Sequence, residues 1–187
     1  MKIIARIHND FPTKFGIPHQ SNRLEALKAT IVFEKEYRVW EAFRGLEEYS
    51  HIWLIWQFSE AVRDKWSPTV RPPRLGGNVR MGVFATRSPF RPNNIGLSSV
   101  KLEKVVKDPD LGPVLCISGA DLMDGTPIYD VKPYLPYVDS HPEATGGFTD
   151  QIEDYRLEVD FPEELLVQIP EGQREALMEV LANDPRP

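Results

Sequence analysis

Strand-like runs follow one another down this chain with almost no helix between them. Short apolar, β-branched segments occupy Lys2–His8, Lys28–Glu34, His51–Phe58, Val79–Ala85, Ile95–Val106, Val114–Ala120 and Tyr155–Phe161. Proline, glycine and asparagine separate most of them, as turns require. Parallel strands need crossover connections of about a dozen or more residues, usually helical. Strands do not alternate with helices here, so a Rossmann-type sheet is not expected. The nearest glycine cluster, "RLGGNVRMG", has the wrong spacing for a dinucleotide fingerprint and opens no helix. About seven strands with mostly short turns favour a mainly β fold: a single sheet rolled into a closed or nearly closed barrel, which removes exposed edges. Short helices are peripheral. One is expected in "EYRVWEAFRGLEEYS", ending at Gly45. The clearest is Glu171–Asp184, with Leu177, Val180 and Leu181 on one stripe.

Local pattern gives finer expectations. His51–Phe58 is aromatic and uninterrupted, so it reads as a strand buried on both faces. Leu97, Val100, Leu102 and Val105 read as the inward set of the long strand. Ser67–Asn78, with three prolines and two glycines, reads as irregular. At 187 residues and 41% hydrophobic composition the chain has enough apolar side chains for a core. The expected division is a barrel over 1–162 and a helical segment over 163–187.

The single cysteine, Cys116, excludes an intrachain disulfide and a cysteine-cluster metal site. His8, His19, His51 and His141 are scattered without metal-ligand spacing, so no metal is expected. Apolar runs fall far short of the roughly 20 residues that span a bilayer. "MKIIARIHND" lacks a long apolar region and a cleavage site. The expected location is cytoplasmic, with no membrane partner.

Net charge is −6, but it is unevenly spread. From Arg63 to Lys101 the chain carries eight basic residues and one acid, Asp64. Screening limits each charge to about 10 Å, so a local cationic face can hold a phosphate chain on an acidic protein. The alternative is a basic face paired with the acidic remainder. Within this stretch lies "GVFATRSPFRPNNIGLS", Gly82–Ser98. Pro89 and Pro92 fix two φ angles, which lowers the entropy lost when Arg87, Ser88, Arg91 and Asn93 are presented together. Arg87 and Arg91 suit a phosphate or carboxylate; structural salt bridges are the competing use. In "DLMDGTP", Asp121, Asp124 and Thr126 surround a Gly125 turn, which side-chain capping alone would explain. The residues themselves thus lead to a β barrel whose mouth carries a cationic, preorganised polar site.

"RPPRLGGNVRMGVFATRSPFRPNNIGLSSVKL" followed by "DLMDGTPIYDVKPYLPY" resembles the TsaA-like, or TrmO, family over about Ile4 to Tyr137. The resemblance implies a single-sheet barrel, a homodimer and S-adenosylmethionine-dependent N6-methylation of threonylcarbamoyladenosine next to the tRNA anticodon. It implies a cofactor site built from Pro18, His19, Gln20, Ser59, Glu60, Arg87, Leu97, Asp121, Leu122, Asp124, Gly125 and Thr126. Two positions depart from the family pattern: Asn94 stands where proline is usual, which would loosen the loop, and His19 stands where arginine is frequent.

For the chemistry, a carboxylate or tyrosine is needed to take the proton of the acceptor nitrogen. Asp124 is the first expectation and Tyr134 the rival. Arg91 or Lys132 would read the threonine carboxylate, with Asn93 beside them. Arg63, Lys65, Arg71, Arg74 and Arg80 would hold phosphates of the anticodon stem-loop. Trp66 and Phe90 would stack on loop bases. Two competing readings keep the fold: a methyltransferase with another small-molecule or RNA acceptor, and an RNA-binding barrel without catalysis.

Overall fold

The computed structural model describes residues 1–14, 16–18, 21, 24–72, 75, 77–151 and 156–183. Among the described residues there are eight strands: β1 Ala5–His8, β2 Lys28–Phe33, β3 His51–Gln57, β4 Thr69–Val70, β5 Met81–Gly82, β6 Ile95–Asp108, β7 Gly112–Ser118 and β8 Pro127–Pro133. Six of them close a barrel in the order β1-β2-β7-β6-β3-β8, and β8 pairs back onto β1. Each pairing is antiparallel. The helices are α1 Pro136–Asp139, α2 Glu163–Leu166 and α3 Glu171–Ala182. No helix among the described residues is long and apolar enough to cross a membrane.

Alternation fills the barrel interior. Ile7, Ile31, Ile52, Leu54, Val100, Leu115, Ile117 and Ile128 point inward and are essentially inaccessible. Burying a Val, Leu or Ile side chain contributes about 1.5–3 kcal/mol, so this layer dominates stability.

Several expectations are corrected. β3 is not buried on both faces; only Ile52, Leu54 and Trp56 point in. Its outer face is half-covered, with the Trp53 indole donating to Asp139 Oδ2 of α1 at 2.9 Å. In β6 the inward residues are Gly96, Ser98, Val100 and Leu102, and Leu97 is 55% exposed. A register shift between Leu102 and Lys104 then reverses the parity, so Val105 packs against the core. The segment expected to be irregular after Ser67 contains β4, which pairs with β5 as a two-stranded ribbon. Val83–Ala85 is a 3-10 turn, not strand. Between residues 35 and 48 the chain forms three short 3-10 turns, Lys35–Tyr37, Trp40–Phe43 and Leu46–Glu48, not a continuous helix. Arg156–Phe161 joins no sheet; Leu157 donates its N–H to Ala182 O at the end of α3 instead.

Candidate active site at the barrel mouth

Antiparallel order decides which loops meet. β1, β3 and β7 run toward one end of the barrel; β2, β6 and β8 run away from it. The connections 9–27, 58–94 and 119–126 therefore open at the same mouth. They enclose a cavity of about 770 Å³. Such a volume suits a ligand of nucleoside size or larger. Its walls include Ile17, Pro18, Ser59, Glu60, Arg63, Arg87, Phe90, Arg91, Leu97, Asp121, Leu122 and Thr126.

The loop after Ala85 is braced by its own polar groups. Prolines supply carbonyls without N–H donors, and side chains take up that acceptor capacity. Asn94 Nδ2 donates to Pro89 O at 2.6 Å. Arg91 Nη1 donates to Thr86 O at 2.8 Å and Ser88 O at 3.2 Å. The Phe90 N–H donates to Ser88 Oγ, and the Ser88 N–H to Thr86 Oγ1. Asn94 in place of proline therefore fastens the loop, contrary to expectation.

The "DGTP" turn divides into two faces. Gly125 adopts φ 75°, the left-handed region glycine favours. Its N–H donates to Ile7 O, and Asp124 N–H donates to Phe11 O. The Asp124 carboxylate accepts from Asn9 N–H and lies 3.4 Å from His8 Nδ1, away from the cavity walls. Asp124 thus fastens the turn to β1. On the other face Leu122 and Thr126 are buried against the cavity.

Asp121 is the carboxylate that the fold turns inward. Ser98 Oγ donates to its Oδ1 at 2.6 Å, and Trp56 Nε1 donates to Ser98 Oγ at 3.0 Å. Burial pushes the Asp121 carboxyl above the usual aspartate range; Ser98, the Arg87 charge and backbone N–H groups, including that of Ser21, oppose that rise.

Lys132 and Tyr134 do not reach the cavity of their own chain. β8 runs away from the mouth, and at about 3.3 Å per residue Lys132 lies roughly 20 Å beyond Thr126. Lys132 pairs with Asp130 at 3.2 Å, and Tyr134 packs on Trp53 with ring centroids 5.5 Å apart. Asn93 is exposed outside the cavity walls. His19, Gln20 and Arg74 lie outside the described residues.

An aromatic and cationic rim surrounds the mouth. Arg63 covers the Phe90 ring at 3.7 Å, and Trp66 stacks on Phe84 with centroids 6.1 Å apart. Phe84 is 72% exposed. Sequence pattern misses it because "VRMGVFA" reads as strand, and the turn at Val83–Ala85 rotates it outward. Among the described residues Arg63, Lys65, Arg71, Arg80 and Arg91 form no ion pair, whereas Lys101 pairs with Glu25 at 3.0 Å. The basic stretch is therefore not used up by the acidic remainder.

Residues 6–140 match the model of the tRNA-methyltransferase O N-terminal domain. The tRNA (adenine(37)-N6)-methyltransferase of Escherichia coli is 40% identical over 190 residues, covering 98% of this chain and 80% of that protein. The enzyme of the same name from Eikenella corrodens is 48% identical over 140 residues, 74% of this chain and 78% of its own length. The crystal structure of TrmO from Pseudomonas aeruginosa superposes with a TM-score of 0.76 at 34% identity, covering 98% of this chain and 80% of that one. The chain belongs to the tRNA-methyltransferase O family.

Proposed function

We propose that this protein transfers a methyl group from S-adenosylmethionine to N6 of adenosine 37 in tRNA, and that the base it accepts there is N6-threonylcarbamoyladenosine. The observation that carries this reading is the convergence of three mouth connections on one cavity with both signs of charge: Asp121 and Glu60 against Arg63, Arg87 and Arg91. The names of the relatives from Escherichia coli and Eikenella corrodens support the same reaction and position.

The residues present fit the cofactor's chemistry. S-adenosylmethionine, when bound, supplies an activated methyl on a sulfonium. The cavity offers carboxylates for a cation, an arginine for the methionine carboxylate, and apolar surface from Ile17, Phe58 and Leu97 for a purine. Pro18, Ser59, Glu60, Arg87, Leu97, Asp121, Leu122 and Thr126 would hold it. Gly125 would act through the backbone that shapes this wall, while Asp124 anchors the turn from behind.

The chain's remaining tasks are positioning and proton handling. Bringing two bound reactants into line removes much of the entropic barrier. The N6 nitrogen must shed a proton as it gains the methyl, and we assign that proton to Asp121 in place of Asp124. A carboxylate raised toward neutral pH is a better base than an ordinary aspartate. Arg91, which lines the cavity, is assigned to the threonine carboxylate; rejection of unmodified adenosine follows from leaving a cation unpaired.

The tRNA anticodon stem-loop is assigned to the rim. Exposed Arg63, Lys65, Arg71 and Arg80 suit phosphates. Trp66, Phe84 and Phe90 suit loop bases, which proteins read by stacking. The working form is assigned as a cytoplasmic homodimer.

The test is incubation of purified protein with S-adenosylmethionine and tRNA carrying threonylcarbamoyladenosine, followed by nucleoside mass spectrometry. The expected result is one added methyl at position 37, lost in Asp121→Ala and strongly reduced on tRNA without the threonylcarbamoyl group. Equal methylation of both tRNAs would refute the substrate assignment; methylation of neither would refute the reaction.

A further inference from the structure

The floor of the cavity holds a chain of donors whose direction is fixed by chemistry. An indole nitrogen is only a donor, so Ser98 Oγ must accept from Trp56 Nε1 at 3.0 Å. A serine hydroxyl has one proton. That proton is directed to Asp121 Oδ1, at 2.6 Å. The distance falls in the range of a hydroxyl bonded to an ionised acceptor. Asp121 Oδ1 therefore accepts this hydrogen bond and carries no proton of its own.

The relay is built into the barrel and does not belong to a mobile loop. Ser98 is 1% exposed and Trp56 6%. Trp56 lies directly across from Gly96 on β6, where a Cβ would collide with the indole ring. Phe58 covers Trp56 with ring centroids 4.2 Å apart. The β3–β8 pairing slips by one residue between Ile55 and Trp56, a device that re-aims side chains beside functional sites.

We infer that Trp56 and Ser98 are positioning residues that hold the Asp121 carboxylate ionised and oriented into the cavity. Ser98, Ser21 and its own backbone N–H account for three donors to Asp121. Besides Arg87, the charged groups lining the same cavity as Asp121 are Lys14, Glu60, Arg63 and Arg91. The burial that raises the Asp121 pKa is opposed first by the Ser98 bond.

The catalytic consequence rests on the function proposed above, but the relay is measurable without it. The experiment is an NMR titration of the Asp121 side-chain carboxyl carbon in the protein alone, for wild type, Ser98→Ala, Ser98→Thr and Trp56→Phe. Loss of a hydrogen bond to the charged form raises an acid's pKa. Ser98→Ala is expected to move the midpoint up by about one pH unit, Trp56→Phe by less, and Ser98→Thr, which keeps the hydroxyl, by little. The acid limb of the kcat–pH profile for tRNA methylation is expected to move upward with the same ranking. An unmoved Asp121 midpoint in folded Ser98→Ala overturns the relay. If that variant does not fold, an unmoved midpoint in Trp56→Phe does so. A shifted midpoint with an unshifted acid limb overturns the catalytic use of Asp121. A shifted midpoint in a protein that methylates no tRNA upholds the relay and refutes the proposed function instead.

Discussion

Gly96→Ala adds one methyl to the interior of β6 and tests how tightly the cavity floor is packed. The added Cβ would collide with three ring carbons of Trp56. Trp56 has little room to yield. It is 6% exposed, faces Phe58 at 4.2 Å and donates to Ser98 at 3.0 Å. Forcing an extra methyl into a packed core costs about 1–3 kcal/mol. Turning the ring away leaves a buried N–H without its acceptor, which costs about another 1–3 kcal/mol. The expected loss is therefore about 2–6 kcal/mol. For a chain of this size each kcal/mol lowers Tm by about 2–4 °C, so calorimetry is expected to show a fall of roughly 5–20 °C. Gly96→Ala/Trp56→Phe is expected to recover part of that loss, because contacting residues are not additive. An unchanged Tm for Gly96→Ala would refute the claim that Trp56 is held in one place.

Other consequences concern the rim and the far end of the barrel. Phe84→Ala and Trp66→Ala are each expected to weaken tRNA binding about ten-fold, from roughly 1–3 kcal/mol per stacked base, with S-adenosylmethionine affinity unchanged; unchanged tRNA affinity in both refutes the stacking role. Asp139 accepts from Trp53 Nε1 and Leu135 N–H, and the Leu135 bond, then the Trp53 bond, holds its carboxyl below the usual range. A depressed acid stabilises above its unfolded pKa and loses that contribution as pH falls through the folded value. Asp139→Asn is therefore expected to lower Tm at pH 7 and not below the folded Asp139 pKa; a Tm difference independent of pH contradicts this.

The barrel was legible because its strands are short, β-branched and separated by turn residues, a pattern that physical chemistry reads locally. Parity within strands was less so. Leu97 looks like a core residue, yet it alternates with the inward Gly96, Ser98, Val100 and Leu102 and faces outward, while Val105 reaches the core only because the register shifts beyond Leu102. That shift depends on β7, which is remote in sequence. The same limit applies to the two carboxylates of the turn. Asp121 and Asp124 sit in one short motif and look equivalent, and only the approach of β1 and Asn9 on one side and Ser98 on the other separates them. Lys132 and Tyr134 follow the motif closely in sequence, but β8 carries them to the opposite end. Phe84 was hidden by a strand-like pattern that folds as a turn. The stiff loop, by contrast, was legible: its prolines and hydroxyls brace it in the way their chemistry requires.

The central claim is that the mouth cavity holds S-adenosylmethionine between Arg87 and Asp121. Calorimetric titration of the cofactor into wild type, Arg87→Ala and Asp121→Ala tests it directly. Saturable binding by wild type, with at least a ten-fold loss in each folded variant, is the predicted result. Wild-type affinity retained in both variants, or no binding by folded wild type, contradicts it.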